Sequence, residues 1–176
     1  MNSNNWYIIT GAPNSGKSTL IKLLASNGYR TIDEAARIYI DKEIARGKEL
    51  KNIRNNEISF QKKILEIKIE LERKIPKEDI VFWDRGIPDS DAYYKLQGIA
   101  SDVNLKKAIE NSVYKKVFLL DYLPYKKDYS RTESKGEQIK LHGLLKDVYE
   151  KINIPMVEVS KMNSVEERLK FILNNL

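Results

Sequence analysis

Short apolar runs, each bounded by turn-forming or charged residues, recur along the chain at 6–10, 29–32, 80–83, 117–120 and 156–159. Runs of this length that stay apolar, rather than alternating with polar residues, fit strands covered on both faces. Between them, apolar positions return every three or four residues and predict helices over 18–26, 35–46, 56–74, 89–97, 102–112, 137–151 and 165–173. Pro76 stops the third of these, and Ser164 with Glu167 has the spacing of a capping box that opens the last. Strand and helix in alternation imply a parallel sheet with helices on both sides, so the expected architecture is a three-layer α/β/α sandwich. No repeat, low-complexity tract or shift in composition divides the chain, and residues 1–176 read as a single domain.

Between the first run and the first helix lies Gly11-Ala12-Pro13-Asn14-Ser15-Gly16-Lys17-Ser18-Thr19, which fits G-x-x-x-x-G-K-[ST]. The spacing has a chemical reason. Glycines let backbone N–H groups curl around a phosphate, and the helix N-terminus behind them adds partial positive charge. Lys17 reaches the β/γ oxygens and Ser18 supplies a ligand to Mg²⁺. All nine residues, 11–19, are therefore candidates for binding ATP, with Ser18 a candidate metal ligand.

The remaining bulk properties narrow the class only by exclusion. With no cysteine and one histidine, His142, the chain builds neither a thiolate metal site nor a histidine cluster, and His142 receives no role. The net charge of +6 favours anionic partners. A nucleotide-binding enzyme already handles polyanions, so this charge does not require nucleic acid. No run approaches the length of a membrane span and the start lacks the order of a signal peptide, so the expectation is a cytoplasmic protein without a membrane partner. A GTPase would need N-K-x-D and D-x-x-G, both missing, and an AAA-type motor strand usually ends in Asp-Glu, where this chain has Asp84-Arg85. A compact kinase that takes a nucleoside triphosphate and a small acceptor is what remains.

Two runs end in an aspartate that would suit a Mg²⁺-positioning carboxylate, Asp84 and Asp121. Asp84 is preferred, because Asp84-Arg85-Gly86 places a carboxylate and a guanidinium at the C-terminal edge of a strand, where open α/β sheets bind ligands. Arg85 reads either as a ligand contact or as the ion-pair partner of Asp84. Glu34 and Arg37 follow the second strand and read either as an ordinary helix-surface pair or as the general base for an acceptor hydroxyl with a nearby substrate contact. The segment 122–136 is rich in cations and poor in core pattern, as a lid over phosphates would be, and Arg131 within it is the candidate transition-state cation. Of Tyr93 and Tyr94, one is expected in an acceptor pocket and the other in the core.

With these residues in view the chain resembles the small P-loop family of ATPases and kinases linked to NAD metabolism, typified by the nicotinamide-riboside kinase domain of bifunctional NAD-biosynthesis regulators. The resemblance is carried by residues 8–19, by Glu34-Ala35-Ala36-Arg37, by Asp84-Arg85-Gly86-Ile87-Pro88-Asp89 and by Ser164-Val165-Glu166-Glu167-Arg168. It implies a five-stranded parallel sheet of order 2-3-1-4-5, ATP and Mg²⁺ as ligands, and an acceptor site between the Glu34 helix and the Asp84 strand, with Glu34, Arg37, Arg85 and Asp89 facing the substrate. Phage polynucleotide kinase is similar in part, through its P-loop and an acidic-x-x-Arg after the second strand. The reading is phosphoryl transfer from ATP to a hydroxyl of a nucleoside-like small molecule. A polynucleotide 5′-hydroxyl kinase and a slow nucleotide-dependent switch are the alternatives.

Overall fold

The computed structural model describes residues 4–123 and 134–176. Five strands form one sheet: β1 (Trp6–Thr10), β2 (Arg30–Ile32), β3 (Val81–Asp84), β4 (Lys116–Leu120) and β5 (Met156–Val159). Every pairing is parallel and the order is β2-β3-β1-β4-β5, as the resemblance implied. Alternate residues of β1 serve opposite faces, which is why the whole run is apolar. Tyr7 and Ile9 meet α1 (Lys17–Ser26) and α8 (Val165–Leu173) through Leu20, Leu24, Leu169 and Ile172. Trp6 and Ile8 face the other layer, where α4 (Glu57–Lys74) and α7 (Lys135–Lys151) contribute Leu71 and Tyr149.

That second layer continues through α5 (Asp89–Leu96), whose Ala92 packs with Leu119, Leu141 and Leu145. Outside it, α6 (Val103–Asn111) rests on α4 and α5 through Leu105 and Ala108. On the β2 side, α2 (Ala35–Ala45) and the four-residue α3 (Leu50–Ile53) pack Ile40 and Ile53 against Phe60 and Ile64 of α4. No helix among the described residues is long and apolar enough to cross a membrane.

Local departures from the sequence pattern have local causes. A four-residue helix is too short to show a period, so α3 was not foreseen. Strand β3 runs one residue later than its apolar run, which brings Asp84 into the sheet beside Ile9. Ser164 does cap α8, its hydroxyl accepting from Glu167 N at 3.1 Å, but the Glu167 carboxylate accepts from Asn163 N, so the predicted box is not closed. The complete box lies at the start of α7, between Ser134 and Glu137. It falls inside the segment expected to be a lid: residues 134–136 belong to the opening of α7, and 124–133, including Arg131, lie outside the described residues.

Gly86 sits just past β3 at a close approach of three elements. A Cβ there would lie 2.5 Å from Ile8 Cδ1 and 3.0 Å from the Tyr114 ring. Gly86→Ala should therefore destabilise the fold by about 1–3 kcal/mol in denaturant titrations. Gly143→Ala, in exposed α7 with nothing within 4 Å of the added carbon, should instead stabilise it by about 0.5–1 kcal/mol. Equal effects at the two positions would mean that Ile8 and Tyr114 do not confine the turn.

Candidate active site

The loop after β1 turns back over the sheet edge before α1 begins at Lys17. Gly11 is required at its start: φ is 146°, and a Cβ would lie 2.5 Å from the Leu120 carbonyl oxygen. Three donors from elsewhere in the fold engage the loop on its carbonyl side. Leu123 N donates to Asn14 O at 2.8 Å, Gln138 Nε2 to Pro13 O at 2.6 Å and an Arg168 guanidinium nitrogen to Ser15 O at 2.6 Å. Lys17 Nζ donates to Gly11 O, Ala12 O and Ser15 Oγ at 2.8–3.0 Å, and so lies across the cradle where an anion would meet it. Ser18 follows at the second residue of α1, half-buried, and Thr19 is exposed.

At the end of β3, Asp84 is 5% exposed and its Oδ1 is buried with no hydrogen-bond partner among the described residues. Burial pushes its carboxyl up to about 7, with the charge of Glu34 adding to the effect against Lys17 and Arg85. A buried carboxylate oxygen without a donor suits a cation. Mg²⁺ characteristically takes one or two protein oxygens and completes its shell with phosphates and water. Asp84 with Ser18 fits that donor set, and no cluster of three or more His, Cys, Asp or Glu that could cage a metal occurs among the described residues. The Asp121 side chain is 53% exposed and lies 3.9 Å from His142 Nε2. The two aspartates are thus in different environments, and only Asp84 has the buried, unsatisfied oxygen.

Arg85 has φ 69°, an uncommon conformation for a side-chain-bearing residue. Its amide donates to Ile9 O at 3.1 Å, its Nε to Glu34 Oε1 at 2.7 Å and an Nη to Asp89 Oδ1 at 3.4 Å, while the guanidinium lies over the Tyr93 ring, 5.1 Å from its centroid. Asp89 corrects the sequence reading. It is 0% exposed and takes hydrogen bonds from Thr10 Oγ1, Tyr149 OH and Gly86 N as well as Arg85, so it fastens the turn and offers no face to a substrate. Glu34, which lines the neighbouring pocket, is paired with Arg85. Burial raises its pKa, but Arg85, followed by Lys17 and Arg37, outweighs that and holds it at about 2. The structure thus holds Glu34 ionised and hydrogen-bonded to Arg85.

Beside this cluster opens a pocket between α2, α4 and α5, lined by Glu34, Arg37, Arg85 and Tyr93 together with groups the sequence reading had not selected, chiefly Arg54, Phe60, Gln61 and Lys68. Tyr94 is 0% exposed and belongs to the core, so the two tyrosines divide as expected. Lys68 is 6% exposed and donates to Gly86 O at 2.8 Å and Ser90 Oγ at 3.0 Å. Burial lowers its ammonium to about 8, against the pull of Asp89. A signal for it was present: Phe60, Ile64 and Lys68 share one helix stripe at four-residue spacing, and a cation closing an apolar stripe marks a buried charge. Arg168, buried against the phosphate loop, had no such signal, since its partners lie in distant parts of the chain.

The fold and this site define a P-loop nucleotide-binding domain with the strand order of the nucleotide kinases. The model of an AAA domain family matches residues 6–168, and the chain belongs to that family. No curated protein matches the sequence. Among solved structures, thymidylate kinase from Ehrlichia chaffeensis is similar with a TM-score of 0.68 at 16% identity, covering 98% of each chain. Deoxyadenosine kinase from M. mycoides with bound dATP is similar with a TM-score of 0.62 at 14% identity, covering 97% of this chain and 98% of that one. NadR protein in complex with NAD and AMP-PNP gives 0.72 at 15% identity over 98% of this chain, which spans only 49% of that protein. These likenesses establish the fold and agree with the resemblance to NAD-linked P-loop kinases read from the motifs.

Asp84 gives a stability test independent of activity. Its carboxyl binds a proton more readily folded, at about 7, than at the ordinary 3.8, so charging it removes stability as pH rises through that window. In Mg²⁺-free, nucleotide-free buffer, the melting-temperature difference between Asp84→Asn and wild type should therefore grow in favour of the variant from about pH 4 to about pH 8. Glu34, lowered from 4.5 to about 2, is common to both proteins, so the stability it loses toward acid pH largely cancels in the difference. A difference that stays constant with pH would show that Asp84 is not held protonated by its surroundings.

Proposed function

We propose that the protein is an ATP- and Mg²⁺-dependent kinase that moves the γ-phosphoryl group to an oxygen of a nucleoside-like small molecule. The observation that carries this reading is the placement, at one sheet edge, of a phosphate loop, an unsatisfied buried carboxylate and an aromatic-lined pocket, with the Arg85–Glu34 pair between them. In this reading the loop amides and Lys17 bind the β- and γ-phosphates, and Ser18 and Asp84 hold the magnesium. The ion, when bound, neutralises charge on the phosphate oxygens. Arg85, aimed by Glu34 and Asp89, stands where charge develops between donor and acceptor. Phe60 and Tyr93 offer aromatic surface to a base, and Arg37 and Gln61 offer donors.

The pocket encloses about 60 Å³, well below the ~300–1,000 Å³ of sites that take drug-sized ligands. An acceptor of nucleoside size therefore enters by displacing side chains at the rim, such as Arg37 and Tyr93. The structural neighbours named thymidylate kinase and deoxyadenosine kinase support an acceptor of this class. ATP turnover measured with and without nucleosides and nucleotides tests the reading, with acceptor-stimulated turnover and a phosphorylated product expected. Lys17→Ala should lower that turnover by about 10²–10³-fold or more while the protein stays folded. Turnover indifferent to every acceptor would replace the kinase with a slow nucleotide-dependent switch.

A further inference from the structure

Helix α4 has a cavity on each side. Phe60, Ile64 and Lys68 face the pocket beside Arg85, whereas Leu65, Ile69 and Glu72 form a second stripe that walls a larger groove between α4 and α6. At one end of this groove Lys62 meets Asp102 at 3.9 Å, and at the other Glu72 accepts from the hydroxyl of Tyr114, just past α6. The two helices therefore run side by side in the same direction, and the groove follows α4 from residue 62 to 72, about 15 Å. It encloses about 540 Å³, within the ~300–1,000 Å³ of small-molecule sites. Leu65, Ile69, Ile87 and Ala108 give it an apolar floor.

The charges sort by end. Where the groove begins, the acids are met: Asp102 by Lys62 and by the amide of Leu105, and Glu66 by Lys63 at 2.9 Å. Where it closes, they are not. Glu72 has one oxygen on Tyr114, and its second has no hydrogen-bond partner among the described residues. Burial pushes this carboxyl up to about 7, against the pull of Tyr114, Lys68 and Lys77. Arg73 and Lys77 stand at the same mouth, exposed and without an ion-pair partner among the described residues, and Val113, 45% exposed, adds apolar surface beside them. An acid without a donor, cations without an acid and an apolar strip leading away from both match one molecule that carries an ammonium, an acidic group and an apolar body.

We propose that this groove is a second small-molecule site, separate from the pocket beside Arg85, and that it takes a zwitterion of the α-amino-acid type with an apolar or aromatic side chain. The ligand's ammonium donates to the second oxygen of Glu72, in a charge-assisted hydrogen bond. Its carboxylate meets Arg73 and Lys77. Its side chain lies along Ile69, Leu65 and Ala108 and removes their apolar surface from water. The site stands independently of the kinase reading, since no residue of the phosphate loop takes part in it.

Isothermal titration calorimetry of the full chain, free of nucleotide, with L-phenylalanine, L-leucine, phenethylamine and N-acetyl-L-phenylalanine tests the proposal. At least one of the two amino acids should bind with Kd below ~1 mM. Phenethylamine, which lacks the carboxylate, and N-acetyl-L-phenylalanine, which lacks the ammonium, should each bind about 10-fold or more weakly than L-phenylalanine. Glu72→Gln keeps an acceptor for Tyr114 and should weaken the amino acid about 10-fold or more, and Lys77→Gln, at an exposed position, about 3-fold. If Glu72→Gln does not fold, Lys77→Gln decides. Phe60→Leu, in the other pocket, should leave the affinity unchanged. Absence of binding by both amino acids, equal binding by either analogue, or an affinity indifferent to Glu72→Gln and Lys77→Gln would overturn the inference. Weakening by Phe60→Leu as large as that by Glu72→Gln would move the ligand to the pocket beside Arg85 and overturn it too. So would self-association in sedimentation equilibrium that Val113→Asp abolishes, which would give the groove to a second copy of the chain.

Discussion

The buried ion cluster around Arg85 is the constraint on which the rest of the site depends. Its backbone is in the left-handed region, its side chain is nearly inaccessible, and it is held by Glu34 from one element, Asp89 from another and the carbonyl of Ile9 from a third. Burying a guanidinium is unfavourable unless carboxylates meet it, and here Glu34 takes its Nε and Asp89 one Nη. The opposite side of the same turn is fixed too: Lys68 binds the Gly86 carbonyl, and the Tyr114 hydroxyl accepts from Ile87 N at 2.9 Å while donating to Glu72. Such over-determination is what permits an unusual backbone conformation to persist at a fixed place.

A consequence of that cluster is the division of labour among three nearby carboxylates. Asp89 is consumed by hydrogen bonds, Glu34 is held in its charged form by cations, and Asp84 is left with an oxygen that has no hydrogen-bond partner among the described residues. Environment pushes the titrations of Glu34 and Asp84 in opposite directions although both are near Lys17 and Arg85. The free carboxylate oxygen is therefore the one at the edge of the phosphate loop. That oxygen, rather than the exposed Asp121, is the one that suits a divalent cation.

The phosphate loop is suspended from the fold as well as built on it. Gln138 of α7, Arg168 of α8 and the amide of Leu123 after β4 each take a different loop carbonyl. Fixing the carbonyls from outside orients the peptide planes before an anion arrives, which reduces the ordering left to do on binding. It also ties the nucleotide end to two helices that have no residue in the loop motif. The pocket beside it is built from other parts, with α2, α4, α5 and the turn after β3 supplying its cations and its aromatic surface.

Local pattern was enough to determine the layers and the phosphate loop of this protein. Five apolar runs, the helical stripes between them and the glycine-lysine spacing are short-range features, and each dictates its own stretch of backbone whatever lies far away. Asp84 and Arg85 were legible for the same reason, because the end of a strand in a parallel sheet is a place that sequence order alone defines. What the side chains do there was decided by tertiary structure. Asp89 became a fastener because Tyr149, sixty residues later, reaches it from α7, and Glu34 became the partner of Arg85, 51 residues away in sequence but 2.7 Å away in space. Lys68 and Arg168 acquired their places through packing of α4 and α8, which turns a residue type common on surfaces into a buried contact. Protonation and partnership depend on burial and on charges within a few ångströms, and those are properties of the folded arrangement, not of any segment.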